Sequence, residues 1–358
     1  MTGGEGTTLS FREALDVLPK VELHCHVEGT MRPETVVDLA RKNGRVLPSE
    51  DPRELYRYTS LDSFLAIFWL VQECLADRGD WARLAYESVV DGAAHGLVYR
   101  ETFFTPARHL ASGQRLEDVV AGLTEGVEAA EAETGARVML IAAIDKAYGP
   151  EAGRQLIEDV VELRRRGTAD RVIGMGMDST EVGTDPRSFR EAYRLGASMG
   201  LRRTGHQGET TDPSLIVVAL DELGLERLDH GITSMQDERI AHRLASDGIP
   251  LTVCPVSNVR IANAVARLED HPWPRMREAG LHVTLNTDDP ALIDDDLGAE
   301  YAAVAEAFGY GFDDMVDTSL AGVDATWLDD SEKRELRGKV ESAAAELGSR
   351  TGSQGPSA

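Results

Sequence analysis

Apolar and polar positions along the chain alternate between two patterns, one typical of strands and one typical of helices. Short apolar runs typical of buried strands are separated by longer segments with the spacing of amphipathic helices. The strand candidates lie at residues 20–26, 97–104, 137–144, 171–177, 201–206, 226–230, 249–254 and 281–287. Eight strands that alternate with helices predict a parallel (β/α)8 barrel, the α/β fold known as a TIM barrel.

Helical spacing fills the segments between these strands and continues beyond the last one. The predicted helices lie at residues 11–18, 34–42, 61–75, 80–95, 117–133, 150–166, 186–199, 212–223, 235–247, 297–308, 312–320 and 330–347. The helix at 61–75, which contains Phe64, is apolar nearly all round, so it either packs in the core or covers a substrate pocket as a lid. We predict a single domain over residues 11–347, with disordered ends at 1–10 and 348–358, which are rich in small and polar residues.

Composition and charge narrow the classes of partner. The chain has 358 residues, enough for one α/β barrel, and a formal net charge of −25. Such a charge repels phosphates, so we expect neither nucleic acid nor an anionic membrane as a partner. The three cysteines, Cys25, Cys74 and Cys254, have no metal-binding spacing and are interpreted as reduced thiols. With no signal peptide or transmembrane run visible, we expect a cytoplasmic protein, and its oligomeric state is left open.

Imidazoles and carboxylates collect at the ends of the predicted strands. In this fold the active site lies at the carboxyl ends of the strands. His24 and His26 end the first strand and face the same way, because side chains two residues apart share one face of a strand. The other strand ends carry Asp178 and Glu181, His206 and Glu209, His230, and Asp288 and Asp289.

These residue types suit a metal-dependent hydrolase. Three imidazoles and one carboxylate are ligands that Zn²⁺ accepts, and such an ion lowers the pKa of a water that it binds towards about 7. The predicted ligands of one zinc ion are His24, His26, His206 and Asp288. Glu209 and His230 remain for proton transfer, and Asp289 is free to hold a substrate. Glu28 and Glu181 have a second interpretation, as helix-capping or solvent-exposed carboxylates.

With these residues in place, the chain resembles the adenosine deaminase family of the amidohydrolase superfamily. The matching segments, in the family's order, are LHCHVEGT at 23–30, MDSTEVG at 177–183, GHQGE at 205–209, DHG at 229–231, LTVCPVSN at 251–258 and LNTDDP at 285–290. The resemblance implies a barrel with one zinc ion that hydrolyses the 6-amino group of a purine and releases ammonia. It implies that Glu209 protonates the purine ring, that His230 orients or deprotonates the attacking water, and that Asp289 contacts the imidazole part of the purine.

Several departures from the nucleoside-specific members bear on the substrate. Glu28 stands where those members usually have Asp, and Glu181 where they have Gly; both are similar to the adenine deaminase branch. We hypothesise that Glu181 faces the N3/N9 edge of the purine and accepts the N9–H that a nucleoside lacks. Asp178 and Phe64 are further candidates for substrate contact. Gln207 stands where the family usually has Ala, so adenine, adenosine and a modified 6-aminopurine nucleoside all remain open.

Three other classes of protein compete with this interpretation. A cytidine-deaminase-type enzyme would share the His26-Val27-Glu28 spacing but needs a Pro-Cys-x-x-Cys segment, which this chain lacks. A binuclear amidohydrolase usually has a bridging lysine at the end of strand four, where this chain has Met177-Asp178. The last alternative is a catalytically dead barrel that binds purines, which a metal analysis combined with an ammonia-release assay distinguishes from the enzyme.

Overall fold

The computed structural model describes residues 8–58 and 61–351. Parallel strands pair in sequence order and form the wall of a barrel. The strands are β1 (Lys20–Glu22), β2 (Leu97–Phe104), β3 (Arg137–Asp145), β4 (Val172–Asp178), β5 in two segments (Arg202–Arg203 and His206–Gln207), β6 (Leu228–His230), β7 (Leu251–Val253) and β8 (Val283–Leu285).

Backbone hydrogen bonds close this wall at two places. Between the two segments of β5, the Thr204 amide donates to the Met175 carbonyl, and the Gly205 carbonyl accepts from Asp229, both at 3.0 Å. The last strand returns to the first through the Asp288 amide, which donates to the His24 carbonyl at 3.1 Å, and the His26 amide, which donates to the Asp288 carbonyl at 2.8 Å. These contacts confirm the predicted (β/α)8 barrel.

Helices surround the barrel, and twelve of those in the described residues follow the predicted order. Four further short helices in this part of the chain, at 52–55, 107–111, 255–260 and 273–278, were not predicted. Their bounds are α1 (Phe11–Val17), α2 (Pro33–Asn43), α3 (Pro52–Leu55), α4 (Leu61–Glu73), α5 (Arg78–Ala94), α6 (Ala107–Ala111), α7 (Leu116–Thr134), α8 (Gly149–Arg165), α9 (Arg190–Ser198), α10 (Ser214–Leu223), α11 (Glu238–Asp247), α12 (Pro255–Arg260), α13 (Trp273–Glu278), α14 (Leu297–Phe308), α15 (Phe312–Ala325) and α16 (Asp330–Thr351). No helix in residues 8–58 or 61–351 combines the length and the apolar character needed to cross a membrane.

Both ends of the ordered chain extend beyond the predicted domain boundaries. Ser10, predicted to be disordered, caps α1 through a capping box with Glu13, which satisfies amides that the first turn leaves unpaired. Helix α16 continues to Thr351, four residues beyond the predicted boundary at 347. Its last turns are held because Leu347 is buried and the Leu9 amide donates to the Arg350 carbonyl. The rest of the predicted tails, 1–7 and 352–358, lies outside the described residues.

Two buried ion pairs join neighbouring and distant strands of the barrel. The Arg100 guanidinium donates to Glu22 at 2.6 Å, and Arg227 donates to Glu101 at the same distance. The Arg227 guanidinium also lies 3.9 Å from the ring centre of Trp327, in the segment between α15 and α16. These contacts fix the C-terminal helices against the barrel wall, which positions the strand ends that carry the site.

Candidate active site

The four predicted metal ligands converge at the carboxyl ends of β1, β5 and β8. The Nε2 atom of His206 lies 3.1 Å from Nε2 of both His24 and His26. The Asp288 Oδ1 atom lies 3.3 Å from the first of these and 3.4 Å from the second. In a tetrahedral zinc site with bonds of about 2.0–2.1 Å, neighbouring donor atoms lie about 3.3 Å apart. The spacing of the four side chains therefore matches a shared divalent cation.

Hydrogen bonding within this cluster does not account for its geometry. A neutral imidazole has one donor nitrogen and one acceptor nitrogen, so three Nε2 atoms that face one point cannot all be paired with each other. All four side chains are buried. Asp288 also has a φ of +68°, a left-handed conformation that is uncommon outside glycine and clusters at functional sites. The donor set, the burial and the strained backbone together fit a bound metal ion.

Other polar side chains contact these predicted ligands on the side that faces away from the metal position. The Nδ1 atom of His24 lies 3.1 Å from the Thr252 hydroxyl, and that of His206 lies 3.4 Å from Asp229. Metal-binding imidazoles are commonly held in this way, with the second ring nitrogen turned to an oxygen atom. Sequence reasoning assigned no role to Thr252 or Asp229. Asp229 was adjacent to a predicted catalytic histidine, but only the pairing of β5 with β6 shows that it faces His206.

The remaining two ligands have similar support. The Asp178 Oδ2 atom lies 3.6 Å from Nδ1 of His26 and accepts a hydrogen bond from Thr105. The Ser257 hydroxyl donates to Asp288 Oδ2 at 2.5 Å. The structure thus places Asp178, a predicted substrate-binding residue, against a metal ligand, although its Oδ1 atom is buried without a hydrogen-bond partner among the described residues.

The predicted acid and the predicted histidine lie side by side. The Glu209 Oε1 atom lies 3.6 Å from Nδ1 of His230, and the Asn258 amide nitrogen contacts both, at 2.7 Å and 3.2 Å. Burial, reinforced by the negative charges of Asp288 and Glu181, raises the pKa of Glu209 to about 8. Burial also lowers the pKa of His230 to about 4. These shifts favour a protonated Glu209 and a neutral His230 near neutral pH.

Glu181 is engaged by the loop that follows β5. Its carboxylate accepts hydrogen bonds from the backbone amides of Gly208 and Glu209, each at 3.1 Å, and from the Thr211 hydroxyl at 2.5 Å. Both oxygens are thus already in use. Glu181 therefore supports this loop, and the hypothesis that it also accepts the N9–H group of the purine stays a prediction.

Three carboxyl groups beside the predicted metal ligands combine an unpartnered oxygen with a raised pKa. Within residues 8–58 and 61–351, the buried Oε2 of Glu28 and the Oδ1 atoms of Asp178 and Asp289 find no hydrogen-bond partner. Burial is the main cause that raises the pKa of each group, for Glu28 to about 7. Buried polar atoms are normally paired, so these oxygens lack the partner that a buried carboxyl group ordinarily has.

Gly29 shapes the edge of this site, whereas Phe64, predicted to contact substrate, packs in the neighbouring apolar core. The Phe64 side chain is buried in the main apolar core and packs on Tyr58 and Phe68 with ring centres 5.1 Å and 6.1 Å apart. Helix α4, which carries it, contacts the turn at Val27–Thr30 that follows the first two metal ligands. In this turn, a Cβ atom on Gly29 would lie 1.9 Å from the Asp289 Oδ1 atom. Gly29 therefore permits the close approach of Asp289.

His271, which belongs to none of the segments at the strand ends, lies behind Glu209 and His230. It is buried, and its Nε2 atom lies 3.2 Å from the Asn258 Oδ1 atom. No signal in the sequence links it to the site, because His271 lies in the connection between α12 and α13 rather than at a strand end.

Comparison with known proteins agrees with this geometry. The family model described as adenosine deaminase matches residues 19–343. An adenine deaminase from Streptomyces coelicolor is 38% identical over 328 residues, which cover 91% of this chain and 95% of the relative.

Two solved structures are similar over almost their whole lengths. The crystal structure of an adenine deaminase from Arthrobacter aurescens has a TM-score of 0.85 and 34% identity, and covers 90% of this chain and 98% of the other. A zinc-bound amidohydrolase from Burkholderia ambifaria has a TM-score of 0.88 and 28% identity, with coverage of 98% and 97%. The chain belongs to the adenosine deaminase family.

Proposed function

We propose that this protein is a zinc-dependent hydrolase that deaminates free adenine to hypoxanthine, with release of ammonia. The observation that carries the proposal is the set of three buried, unpartnered carboxyl oxygens beside a complete set of metal ligands and a protonated glutamate. The names of the similar proteins from Streptomyces and Arthrobacter support the same substrate.

The metal would be held by His24, His26, His206 and Asp288, whose four donor atoms lie within 4.8 Å of one another. Nitrogen and carboxylate donors in a four-ligand set suit zinc, and the similar amidohydrolase from Burkholderia contains that ion. When bound, the ion supplies the Lewis acidity that makes water a nucleophile at neutral pH.

The acid of the reaction is Glu209. Its raised pKa of about 8 leaves a proton on the carboxyl group at neutral pH, and this proton is donated to N1 of the purine. Protonation of N1 withdraws electrons from C6, so the water oxygen adds to C6 and the C6–N bond breaks. One proton of the water goes to the departing amino group, which leaves as ammonia, and the other restores the acid form of Glu209. His230, buried beside Glu209, orients the attacking water.

Recognition of the purine falls to the three unpartnered carboxyl groups, Glu28, Asp178 and Asp289. A carboxyl group with a raised pKa donates a hydrogen bond when protonated and accepts one when ionised. Asp289 is assigned to the imidazole part of the purine. Glu28 takes the role first given to Glu181, acceptance of the N9–H group, because one of its oxygens is free. A nucleoside carries a sugar at N9 and would leave that buried oxygen unpaired, which costs several kcal/mol.

An ammonia-release assay with adenine, adenosine and N6-methyladenosine tests the substrate, with zinc content measured on the same sample. We expect a kcat/KM for adenine at least about a hundredfold above that for either nucleoside. Equal values for adenine and adenosine would exclude free-base specificity, and turnover of the methylated nucleoside alone would support the modified substrate. Absence of both zinc and turnover would support a purine-binding barrel.

The cysteines and the net charge support a cellular compartment and a class of partner. All three cysteines are unpaired and buried, which is typical of proteins in a reducing compartment, so we place the protein in the cytoplasm. The net charge of −25 supports a small-molecule partner rather than nucleic acid or a membrane surface. We propose that residues 11–347 act as one domain.

A further inference from the structure

A chain of buried hydrogen bonds runs from the backbone of α13 to the acid and histidine of the proposed deaminase site. It contains the Trp273 amide, the His271 ring and the Asn258 side chain, and it ends at Glu209 and His230. Asn258 is fully buried and His271 is 3% exposed. Each link in this chain has a fixed donor or acceptor, so the positions of the protons can be worked out one by one.

The first link fixes the proton on His271. The backbone amide of Trp273 donates to Nδ1 of His271 at 3.1 Å. A backbone amide is only a donor, so this ring nitrogen must accept and carries no proton. The neutral ring then has its proton on Nε2. Burial lowers the pKa of His271 to about 3, which agrees with a neutral ring.

The second link fixes the orientation of the Asn258 amide. Because Nε2 of His271 donates, the atom that faces it at 3.2 Å must be the amide oxygen. The NH2 group of Asn258 consequently points the other way. Its two hydrogens meet Oε1 of Glu209 at 2.7 Å and Nδ1 of His230 at 3.2 Å.

The last link fixes the protons that face the reaction. Nδ1 of His230 accepts from Asn258, so the neutral His230 ring carries its proton on Nε2. Oε1 of Glu209 also accepts from Asn258, so the acid proton of Glu209 lies on Oε2. Both reactive protons are placed on the atoms that point away from Asn258.

We propose that His271 and Asn258 are positioning residues that set the proton of His230 on Nε2 and the proton of Glu209 on Oε2. His230 then meets the attacking water as a hydrogen-bond donor, and Glu209 presents its proton to the purine. This inference rests on the proposed deaminase function for its catalytic meaning, but the proton positions themselves do not depend on the substrate.

Nitrogen NMR on the zinc-loaded protein with ¹⁵N-labelled histidine tests the positions directly. The His230 signal is assigned from its loss in a zinc-loaded His230→Asn sample. We expect His230 to show a protonated Nε2 and an unprotonated Nδ1. A carboxylate at position 258 can only accept hydrogen bonds, so Asn258→Asp should move the His230 proton to Nδ1. A wild-type His230 with its proton on Nδ1 would overturn the proposal.

Kinetics with three His271 and Asn258 variants give a second measurement. His271→Leu removes the donor to Asn258, whereas His271→Gln keeps an N–H group for it. We expect His271→Leu and Asn258→Asp to lower kcat for adenine about 10- to 100-fold with little change in KM, and His271→Gln to restore part of the loss. Equal kcat values for His271→Leu and the wild type would contradict the positioning role.

His109→Gln is the matched control for a loss of general stability. His109 is also 3% exposed and lies near the side-chain amide of Gln114, but it packs on Trp81. We expect it to lower Tm without moving the His230 proton. Zinc content and Tm of every variant show whether it has folded. Absence of adenine turnover with the expected His230 signal would refute the proposed function and leave the proton positions intact.

Discussion

Two site residues have backbone conformations that their side chains make unfavourable. Asp288 and His230 have φ values of +68° and +62°, in the left-handed region that glycine prefers. Such strain is retained where the surrounding structure over-determines it, commonly at active sites. Here the strain follows the strand ends of β8 and β6, at a predicted metal ligand and at a proposed catalytic ring.

Removal of the Glu209 proton is the simplest test at the scale of one residue. Glu209→Gln keeps the shape of the side chain but cannot act as an acid, so we expect kcat to fall about 10²- to 10⁴-fold. Zinc content should be unchanged, because Glu209 is not among the predicted ligands. Glu191→Gln, on the exposed face of α9, is the control. Retention of most of the activity in Glu209→Gln would remove this residue from its role.

The pKa of Glu209 also predicts the pH dependence of activity. Burial raises this pKa to about 8, so the proton required for catalysis is present below that pH and is lost above it. We expect kcat/KM for adenine to fall about tenfold per pH unit above pH 8. A profile that stays flat to pH 10 would contradict this assignment of the acid.

Gly29 provides a steric test of the approach of Asp289. A Cβ atom at Gly29 would lie 1.9 Å from Asp289 Oδ1 and 2.7 Å from its Cα, so Gly29→Ala forces a movement of backbone at the site. We expect a loss of kcat/KM of at least tenfold. Gly338→Ala in α16 has open space around it and should stabilise the helix by about 0.5–1 kcal/mol, with unchanged kinetics. A fully active Gly29→Ala variant would show that the contact is dispensable.

Among single residues, those that lie at the carboxyl end of a strand could be predicted from the sequence. His24, His26, His206 and Asp288 were predictable because the carboxyl ends of parallel strands meet at one edge of the barrel. His271 and Asn258 were not assigned roles, because their contact depends on how two short helical segments pack. The hydrogen bonds of Glu181 also depend on a loop conformation that no periodic pattern encodes.

At the scale of elements, the loop after β5 carries Glu209, and a residue that follows a different strand stabilises this loop. Glu181, which follows β4, binds two backbone amides of this loop and one of its hydroxyls. A carboxylate has enough lone pairs for all these donors, whereas an amide must present its NH2 group to one side. The hydrogen bonds to the Glu181 carboxylate therefore stabilise the conformation of this loop.

Glu181→Gln separates support of the loop from recognition of the purine. If Glu181 supports the loop, kcat should fall for adenine and for any slowly used nucleoside by the same factor, because the position of Glu209 is disturbed for both. Glu28→Gln should instead change the ratio of kcat/KM between adenine and adenosine. The measurement is steady-state kinetics with both substrates. A changed ratio in Glu181→Gln alone would restore the hypothesis that this residue contacts the N9 edge.

Element boundaries were predicted less well than element types. All eight strands were identified, since continuous apolar runs separated by helical spacing are characteristic of a buried parallel sheet. The break in β5 at Thr204-Gly205 and the extension of α16 to Thr351 were not predicted. Both depend on contacts with other elements, namely the neighbouring strands β4 and β6 and the segment before α1.

At the scale of the whole molecule, the proposed metal ion joins the two parts of the sheet. One part is β1–β4 with the first segment of β5, and the other is the second segment of β5 with β6–β8. His24 and His26 follow β1 in the first part, whereas His206 and Asp288 belong to the second segment of β5 and the end of β8 in the other. A ligand that binds only the folded state stabilises it by about 2.7 kcal/mol at a concentration one hundred times its Kd. We expect removal of zinc by a chelator to lower Tm by several degrees.

Hydrogen exchange shows whether this loss of stability is located at the metal ligands. In the metal-free protein, the amides of His26 and Asp288, which join β8 to β1, should exchange faster. Amides in the middle of β3 serve as the internal reference, because that strand carries neither a predicted metal ligand nor a residue of the closing contacts. Unchanged Tm and unchanged exchange after complete removal of zinc would show that the ion does not stabilise the closure.

The order in which the chain supplies its ligands has a consequence for biosynthesis. His24 and His26 emerge from the ribosome first, but their fourth partner, Asp288, comes only with the last strand of the barrel. Because a metal site of this kind rarely exists before the chain has folded, capture of the ion and closure of the barrel become one late event. Before β5 is made, a nascent chain thus presents only His24 and His26, and binding of the proposed metal ion would report that the last strand of the barrel is in place.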